Sequence, residues 1–338
     1  MVERKVAVLR ADASDLIGVG HVMRSLALGE ALLDVGFDVM LATVGLPAGM
    51  REEAHKCGIT VVDLQCVPFG AADALATLSL NGAVLVIDGY KFEREFFEIL
   101  ENQATHFAVI DDNVETKALA PSVVINQNPH ATPEMYAHMS GAPQLLLGLQ
   151  YALLRREVLE ATKQLINTVA GKVFIAMGGS DFLQLTAPIV DGLKDLDIEI
   201  CVAIGPTNGQ RQQIEETVKS IHRARVIAQV DYITELASSS LAILAAGSSL
   251  WEAAALGVPS LGLIVADNQI GASVGAENCG ISISLDVRSG LHNESIVSNV
   301  GNLLTTANGT LAKMRIATRS EVDEFGSMRV LQAIGPNS

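Results

Sequence analysis

Short apolar runs recur along the chain, each closed by a polar or glycine-rich turn, with helical patterns between them. In the first half they are VAVLRA at 6–11, DVMLATV at 38–44, ITVVDL at 59–64, AVLVIDG at 83–89, FAVIDD at 107–112 and SVVINQN at 122–128. Each is apolar on both faces, as strands buried in a parallel sheet are. Between the first two lies VMRSLALGEALLDVG, where Val22, Leu26 and Leu33 share one helical face and Arg24 and Glu30 fall elsewhere. Gly36 closes that helix. Strand, helix and strand at this spacing make a βαβ unit. The second half repeats the style with KVFIAMGG at 172–179, IEICVAIG at 198–205, RVIAQV at 225–230, LAILAAG at 241–247, PSLGLIVA at 259–266 and ISISLD at 281–286. A polar, helix-prone stretch at 151–172 separates the halves. The pattern predicts an α/β chain of two Rossmann-like, doubly wound domains, one over 1–155 and one over 156–338, facing a cleft. Open parallel sheets bind ligands beyond the carboxyl ends of their strands. The residues expected to carry function are those that collect there.

Composition narrows the partners. The 338 residues are 49% hydrophobic and 18% charged, with a formal net charge of -15. That balance argues against a nucleic-acid partner. A phosphate site in such a chain is expected to be local, built from helix N-termini and backbone amides. Cys57, Cys66, Cys201 and Cys279 are scattered and read as reduced thiols of a cytoplasmic protein. The opening MVERKVAVLR has no long apolar core of a signal peptide. No apolar run approaches the roughly 20 residues of a membrane span, so membrane insertion is not expected. Without HExxH or a Cys/His cluster, neither a metal nor a cofactor is expected. The absence of GxSxG counts against a serine hydrolase. The oligomeric state is left open.

GVGH at 18–21 follows the first strand and opens a helix, but position 23 is Met and no acid ends the second strand. A dinucleotide dehydrogenase is therefore disfavoured. Gly18 and Gly20 let a ligand approach the backbone. His21 is expected at a helix N-terminus, where nearby amides favour a neutral imidazole able to accept a proton. Asp88 and Tyr90 end the fourth run, IDD the fifth, and Asn126 and Asn128 the sixth. The two amides are candidates for sugar hydroxyls or acetamido groups. In MGGSD, Gly178 and Gly179 permit close approach and Ser180 offers a hydroxyl, with Thr186 and Pro188 as N-cap and early-turn residues of the next helix. AAGSSLWEAAALGVPS at 245–260 is the strongest piece. Gly247 ends a strand, Ser248 and Ser249 are N-cap candidates, and the helix dipole completes an anion site suited to a diphosphate. Glu252, one turn in, can bind ribose hydroxyls. VADNQ then ends a strand with Asp267, Asn268 and Gln269.

This ordered set resembles the two-domain GT-B family of nucleotide-sugar enzymes, and most closely its hydrolase branch from pseudaminic acid biosynthesis. The carrying pieces are RADAS at 10–14, IGVGHVMRSLALGEAL at 17–32, IDGY, IDD, INQN, LLLGLQYALLRREV at 145–158, MGGSD, AGSSLWEAAALGVPS and DNQ. The resemblance implies that His21 is the key catalytic residue, that Tyr90 and the Asn126–Asn128 cluster shape the sugar site, and that Asn268 positions substrate at the scissile bond. It implies that Ser248, Ser249 and Glu252 hold UDP and that Gly178, Gly179 and Ser180 face the diphosphate. Asp12, Gly247, Asp267 and Gln269 complete the expected binding set. The implied reaction is metal-independent, inverting hydrolysis of a UDP-linked 2,4-diacetamido-2,4,6-trideoxy sugar at its anomeric carbon. A glycosyltransferase, a UDP-sugar 2-epimerase and a non-catalytic nucleotide-sugar binder are the alternatives. DASDLIGVGH carries no basic residue to meet a membrane-lipid acceptor, which favours hydrolysis.

Overall fold

Apolar runs with β-branched residues on both faces form strands only where helices cover both sides of the sheet, and the chain builds two such sheets. The computed structural model describes residues 5–14, 18–103, 106–205, 207–305 and 309–335. Residues 15–17, the DLI before GVGH, lie outside the described residues, as do 1–4. The first unit takes the chain up to Arg156 and again from Phe325; the second is Glu157–Glu324.

In the first unit the order is β1 (Val6–Ala11), α1 (Gly20–Asp34), β2 (Asp38–Thr43), α2 (Ala48–Lys56), β3 (Thr60–Asp63), α3 (Ala71–Leu78), β4 (Val84–Asp88), α4 (Arg94–Gln103), β5 (Ala108–Ile110), β6 (Val123–Asn126) and β7 (Gln144–Leu147), after which α5 (Arg156–Thr162) opens the second unit. The strands lie in the order β3-β2-β1-β4-β5-β6-β7, all parallel. The order reverses between β1 and β4, where Ala11 stands opposite Asp88. That is the place where doubly wound sheets open a crevice for ligands. The edge strand β7 is absent from the sequence reading. It is short and half-buried, and no full helix precedes it to mark a βαβ repeat.

The second unit runs β8 (Lys172–Ala176), α6 (Thr186–Gly192), β9 (Glu199–Ala203), α7 (Arg211–Lys219), β10 (Ala224–Val226), α8 (Tyr232–Ala237), β11 (Leu241–Ala245), α9 (Ser249–Ala255), β12 (Ser260–Ile264), α10 (Ile270–Asn278), β13 (Ser282–Asp286), α11 (Asn293–Leu304) and α12 (Thr310–Glu321). Its strands are ordered β10-β9-β8-β11-β12-β13, again parallel, with the reversal between β8 and β11.

The last helix, α13 (Gly326–Ile334), differs from the expectation of a second domain reaching residue 338. Val330, Leu331 and Ile334 sit in the first unit's core with Leu26, Leu28 and Leu32 of α1. Gly326 makes the docking possible: a Cβ there would meet the Ala152 carbonyl oxygen at 2.2 Å. Pressed between sheet and α13, α1 buries residues all round. Arg24 and Glu30, expected off the apolar face, are 6% and 8% exposed. A buried charge needs partners. Glu30 accepts the Arg156 N–H at 2.8 Å; Arg24 finds its partners at the strand ends.

Candidate active site

Beyond the carboxyl ends of β1, β4, β5 and β6 the first unit gathers one interlocked polar cluster. His21, in the first turn of α1, places Nδ1 2.7 Å from Asp88 Oδ1 at the end of β4. Arg24, one helical turn on, donates from Nε to Asp88 Oδ2 at 2.6 Å and from Nη2 to Asp88 Oδ1 at 2.6 Å. Its Nη1 donates to Asp112 Oδ2 at 2.5 Å. Tyr90 donates its hydroxyl to the same oxygen at 2.6 Å and sets its ring edge-on to His21, centroids 4.5 Å apart.

Two contacts bear on the histidine's tautomer. Nδ1 lies 2.7 Å from Asp88 Oδ1, which only accepts, and 3.1 Å from Arg24 Nη2, which only donates. The shorter contact to the carboxylate favours the proton on Nδ1. Nε2 is then the ring nitrogen able to take a proton. His21, Asp88 and Tyr90 line a small pocket with Asp12, Phe69, Gly89, Lys91 and Phe92. Burial acts to raise Asp88, but the Arg24 charge and then His21 outweigh it and hold the carboxyl below its ordinary value. Burial acts the same way on Asp112, and Arg24 and Tyr90 bring it down to about 2. Burial and the Asp112 charge push the Tyr90 phenol far up, so it stays a donor. Two carboxylates, Asp88 and Asp112, face the one guanidinium of Arg24.

Several expected ligand contacts turn inward instead. Asn126 is fully buried: Nδ2 donates to the Asp112 carbonyl at 3.0 Å and the Tyr136 hydroxyl at 2.8 Å, and Oδ1 accepts from Asn128 N and Nδ2. All its hydrogen-bonding capacity is used, so it cannot also read a sugar. Asn128 spends both Nδ2 protons on Asp112 Oδ1 at 2.8 Å and Asn126. The pair braces Asp112. Asp12 accepts from Thr43 Oγ1, Val44 N and Gly45 N through Oδ1 and pairs with Arg10 through Oδ2. It anchors the loop after β2. The sequence reading leaves Arg24 and Asp112 out of the site and takes Asp88 as a polar strand end. The available signal was an arginine three residues after His21 on a helix and acids ending two consecutive strands.

In the second unit the expected residues follow β8, β11 and β12, beside that sheet's reversal. Ser248 occupies the N-cap position of α9 without a side-chain cap, and Ser249 Oγ donates to the Ala245 carbonyl at 3.2 Å. Neither hydroxyl covers the helix amides. Thr186 is the first residue of α6 rather than its N-cap. The cap is supplied by Asp181, which accepts from Leu185 N at 2.9 Å and Thr186 N at 3.0 Å. Gly178, Gly179 and Ser180 form the loop between, and Gly247 and Glu252 flank the start of α9. Asp267, Asn268 and Gln269 form a single 3-10 turn. There Asp267 pairs with Arg288 and Gln269 accepts the Val265 N–H at 2.9 Å. Among the described residues no group of three or more His, Cys, Asp or Glu is set to hold a metal ion. No helix of those residues is long and apolar enough to cross a membrane.

Two doubly wound parallel sheets, each with a reversal of strand order, define the class: the chain has the GT-B fold. It superposes on Acinetobacter baumannii MurG with a TM-score of 0.66 at 14% identity, over 98% of this chain and 99% of that one. In sequence it is similar to the UDP-2,4-diacetamido-2,4,6-trideoxy-β-L-altropyranose hydrolase of Campylobacter jejuni, 24% identical over 251 residues, 71% of this chain and 84% of the relative. It is also similar to the Helicobacter pylori pseudaminic acid cytidylyltransferase and UDP-2,4-diacetamido-2,4,6-trideoxy-β-L-altropyranose hydrolase. That match is 29% identical over 202 residues and spans 58% of this chain and 37% of the longer relative. Both names fall in the branch that the motifs resemble. No family model matches the chain.

Proposed function

We propose that the chain is a hydrolase of a UDP-linked 2,4-diacetamido-2,4,6-trideoxy sugar, releasing UDP and the free sugar for nonulosonate synthesis. The observation that carries the reading is the His21–Asp88 pair at the reversal of the first sheet, with Nδ1 committed to the carboxylate. His21 Nε2 takes a proton from water as that water attacks the anomeric carbon from the face opposite UDP, so configuration inverts. Asp88 holds the ring and stabilises the imidazolium; Arg24 and Asp112 hold Asp88. Tyr90 fixes the ring from its edge. UDP leaves from the loops after β8 and β11, whose amides stabilise the charge that develops. Asn268 steadies the substrate, and no metal takes part. Residues 1–156 serve the sugar and its chemistry, and the second unit the nucleotide.

The test gives the purified protein UDP-2,4-diacetamido-2,4,6-trideoxy-L-altrose with EDTA and no acceptor, and follows the reaction by proton NMR. The reading expects UDP to be released with the inverted anomer formed first. Release only on adding a sugar acceptor would assign a transferase instead, and no release with any acceptor would remove the enzymatic reading.

A further inference from the structure

We propose that Phe69 determines specificity in the His21 pocket: its ring is the apolar wall that receives the C6 methyl group of a 6-deoxy sugar. This rests on the hydrolase reading above and names which sugars fit. Phe69 lines the pocket with φ +72, a left-handed conformation that a bulky side chain adopts only when its surroundings enforce it.

The surroundings here are unusually strong. The Phe69 N–H donates to Asp73 Oδ2 at 2.8 Å, and its carbonyl accepts the Glu93 N–H at 2.8 Å. Asp73 is fully buried and gripped by Arg10 through two bonds of 2.8 and 2.6 Å. Arg10 is itself fully buried and stacks over Phe92 at 5.1 Å, and Phe92 meets the Phe69 ring edge-on at 5.4 Å. A buried ion pair adds little net stability. Its consequence here is to fix one strained loop residue that lines the same pocket as His21.

The pocket's remaining chemistry decides what that ring is for. Both Asp88 oxygens and Asp12 Oδ1 are hydrogen-bonded within the protein, and Asp12 Oδ2 is ion-paired with Arg10 Nη2 at 2.8 Å. Phe69, Phe92 and the Tyr90 ring supply aromatic surface, and Lys91 is exposed. The C6 methyl group, carried on C5 across the ring oxygen from the reacting carbon, loses nothing against such a wall. A hydroxymethyl group must give up water for its hydroxyl without a carboxylate to receive it.

Calorimetry on the His21→Ala protein, in which turnover is expected to be slowed, compares the 6-deoxy UDP-sugar with its 6-hydroxy counterpart. The expected preference for the deoxy sugar is about 10- to 100-fold. Phe69→Gly, which suits φ +72, and Phe69→Asn should reduce it to about threefold or less, with melting temperature retained. Equal binding of the two sugars by the parent, no binding of either, or a preference that survives in Phe69→Gly would overturn the assignment. Failure of the hydrolase reading looks different: wild-type protein releases no UDP from either sugar while the Phe69-dependent preference persists.

Discussion

At the ends of β1, β4 and β5 the first unit packs an imidazole, a guanidinium and two carboxylates, each hydrogen-bonded to the next. At the ends of β8 and β11 the second unit sets glycines and serines on short turns, with no charged side chain capping α9. The second unit also has an ion network, Lys172 with Glu235 and Glu235 with Arg225, at 2.5 and 2.6 Å. That network starts from the first residue of β8, at the opposite end of the sheet from the loops that follow β8 and β11. Similar charge chemistry thus has different consequences by position. At the carboxyl ends it aims a titratable ring into a pocket; at the amino ends it ties strands to a helix. On the proposed function, the difference would serve two tasks, a base that must not move and a cradle that presents backbone amides to a diphosphate.

Breaking the first unit's cluster should give the largest effect. His21→Ala is expected to lower the rate of UDP release by about 10²–10⁴-fold. Melting temperature should stay near wild type, and an unchanged rate would remove His21 from the chemistry. Arg24→Met leaves Asp88 and Asp112 buried without their cation, so urea unfolding should show a loss of about 3–5 kcal/mol. Ser249→Ala in the second unit should cost about 1 kcal/mol or less. Equal costs would erase the contrast between the two reversals.

The cradle is tested through its backbone. A Cβ at Gly205 would lie 2.3 and 2.2 Å from the Gly178 and Gly179 carbonyl oxygens, so Gly205→Ala must displace that loop. UDP affinity should fall about tenfold, or 1.4 kcal/mol. Unchanged UDP affinity would separate the loop from the nucleotide.

A pH-dependent effect concerns Asp111, next to the cluster but outside it. Burial pushes its carboxyl up to about 6. A raised carboxyl favours the fold while protonated, so this contribution is complete below about pH 4 and disappears as pH rises through about 6. Asp111→Asn should flatten the melting temperature between pH 4 and 7, removing a slope worth on the order of 2–3 kcal/mol. Asp112, held near 2, acts in the opposite sense: its contribution persists down to about pH 4 and is lost as pH falls towards 2.

Much of this was legible because buried parallel strands announce themselves as two-faced apolar runs. VAVLRA coincides with β1, and every strand of both sheets except β7 falls within or beside an expected run. The strand order brings β1 beside β4 and so collects His21, Asp88 and Tyr90. Partner choice was not legible. Asn126 and Asn128 have the chemistry to bind sugar, and only three-dimensional packing reveals that Asp112 and Tyr136 already occupy them. Arg24 reads as a solvated helix residue until the strand order brings Asp88 and Asp112, 64 and 88 residues later in the chain, against it. Local periodicity carries no trace of so distant a contact.

The central claim is that Asp88 fixes the His21 ring with Nδ1 protonated, leaving Nε2 as the base. Two-bond nitrogen–proton NMR on protein carrying ¹⁵N-histidine reads that tautomer directly, with His21→Ala assigning the resonance. The neutral ring should carry its proton on Nδ1 in the wild type and lose that preference in Asp88→Asn. A wild-type ring protonated on Nε2 would contradict the account.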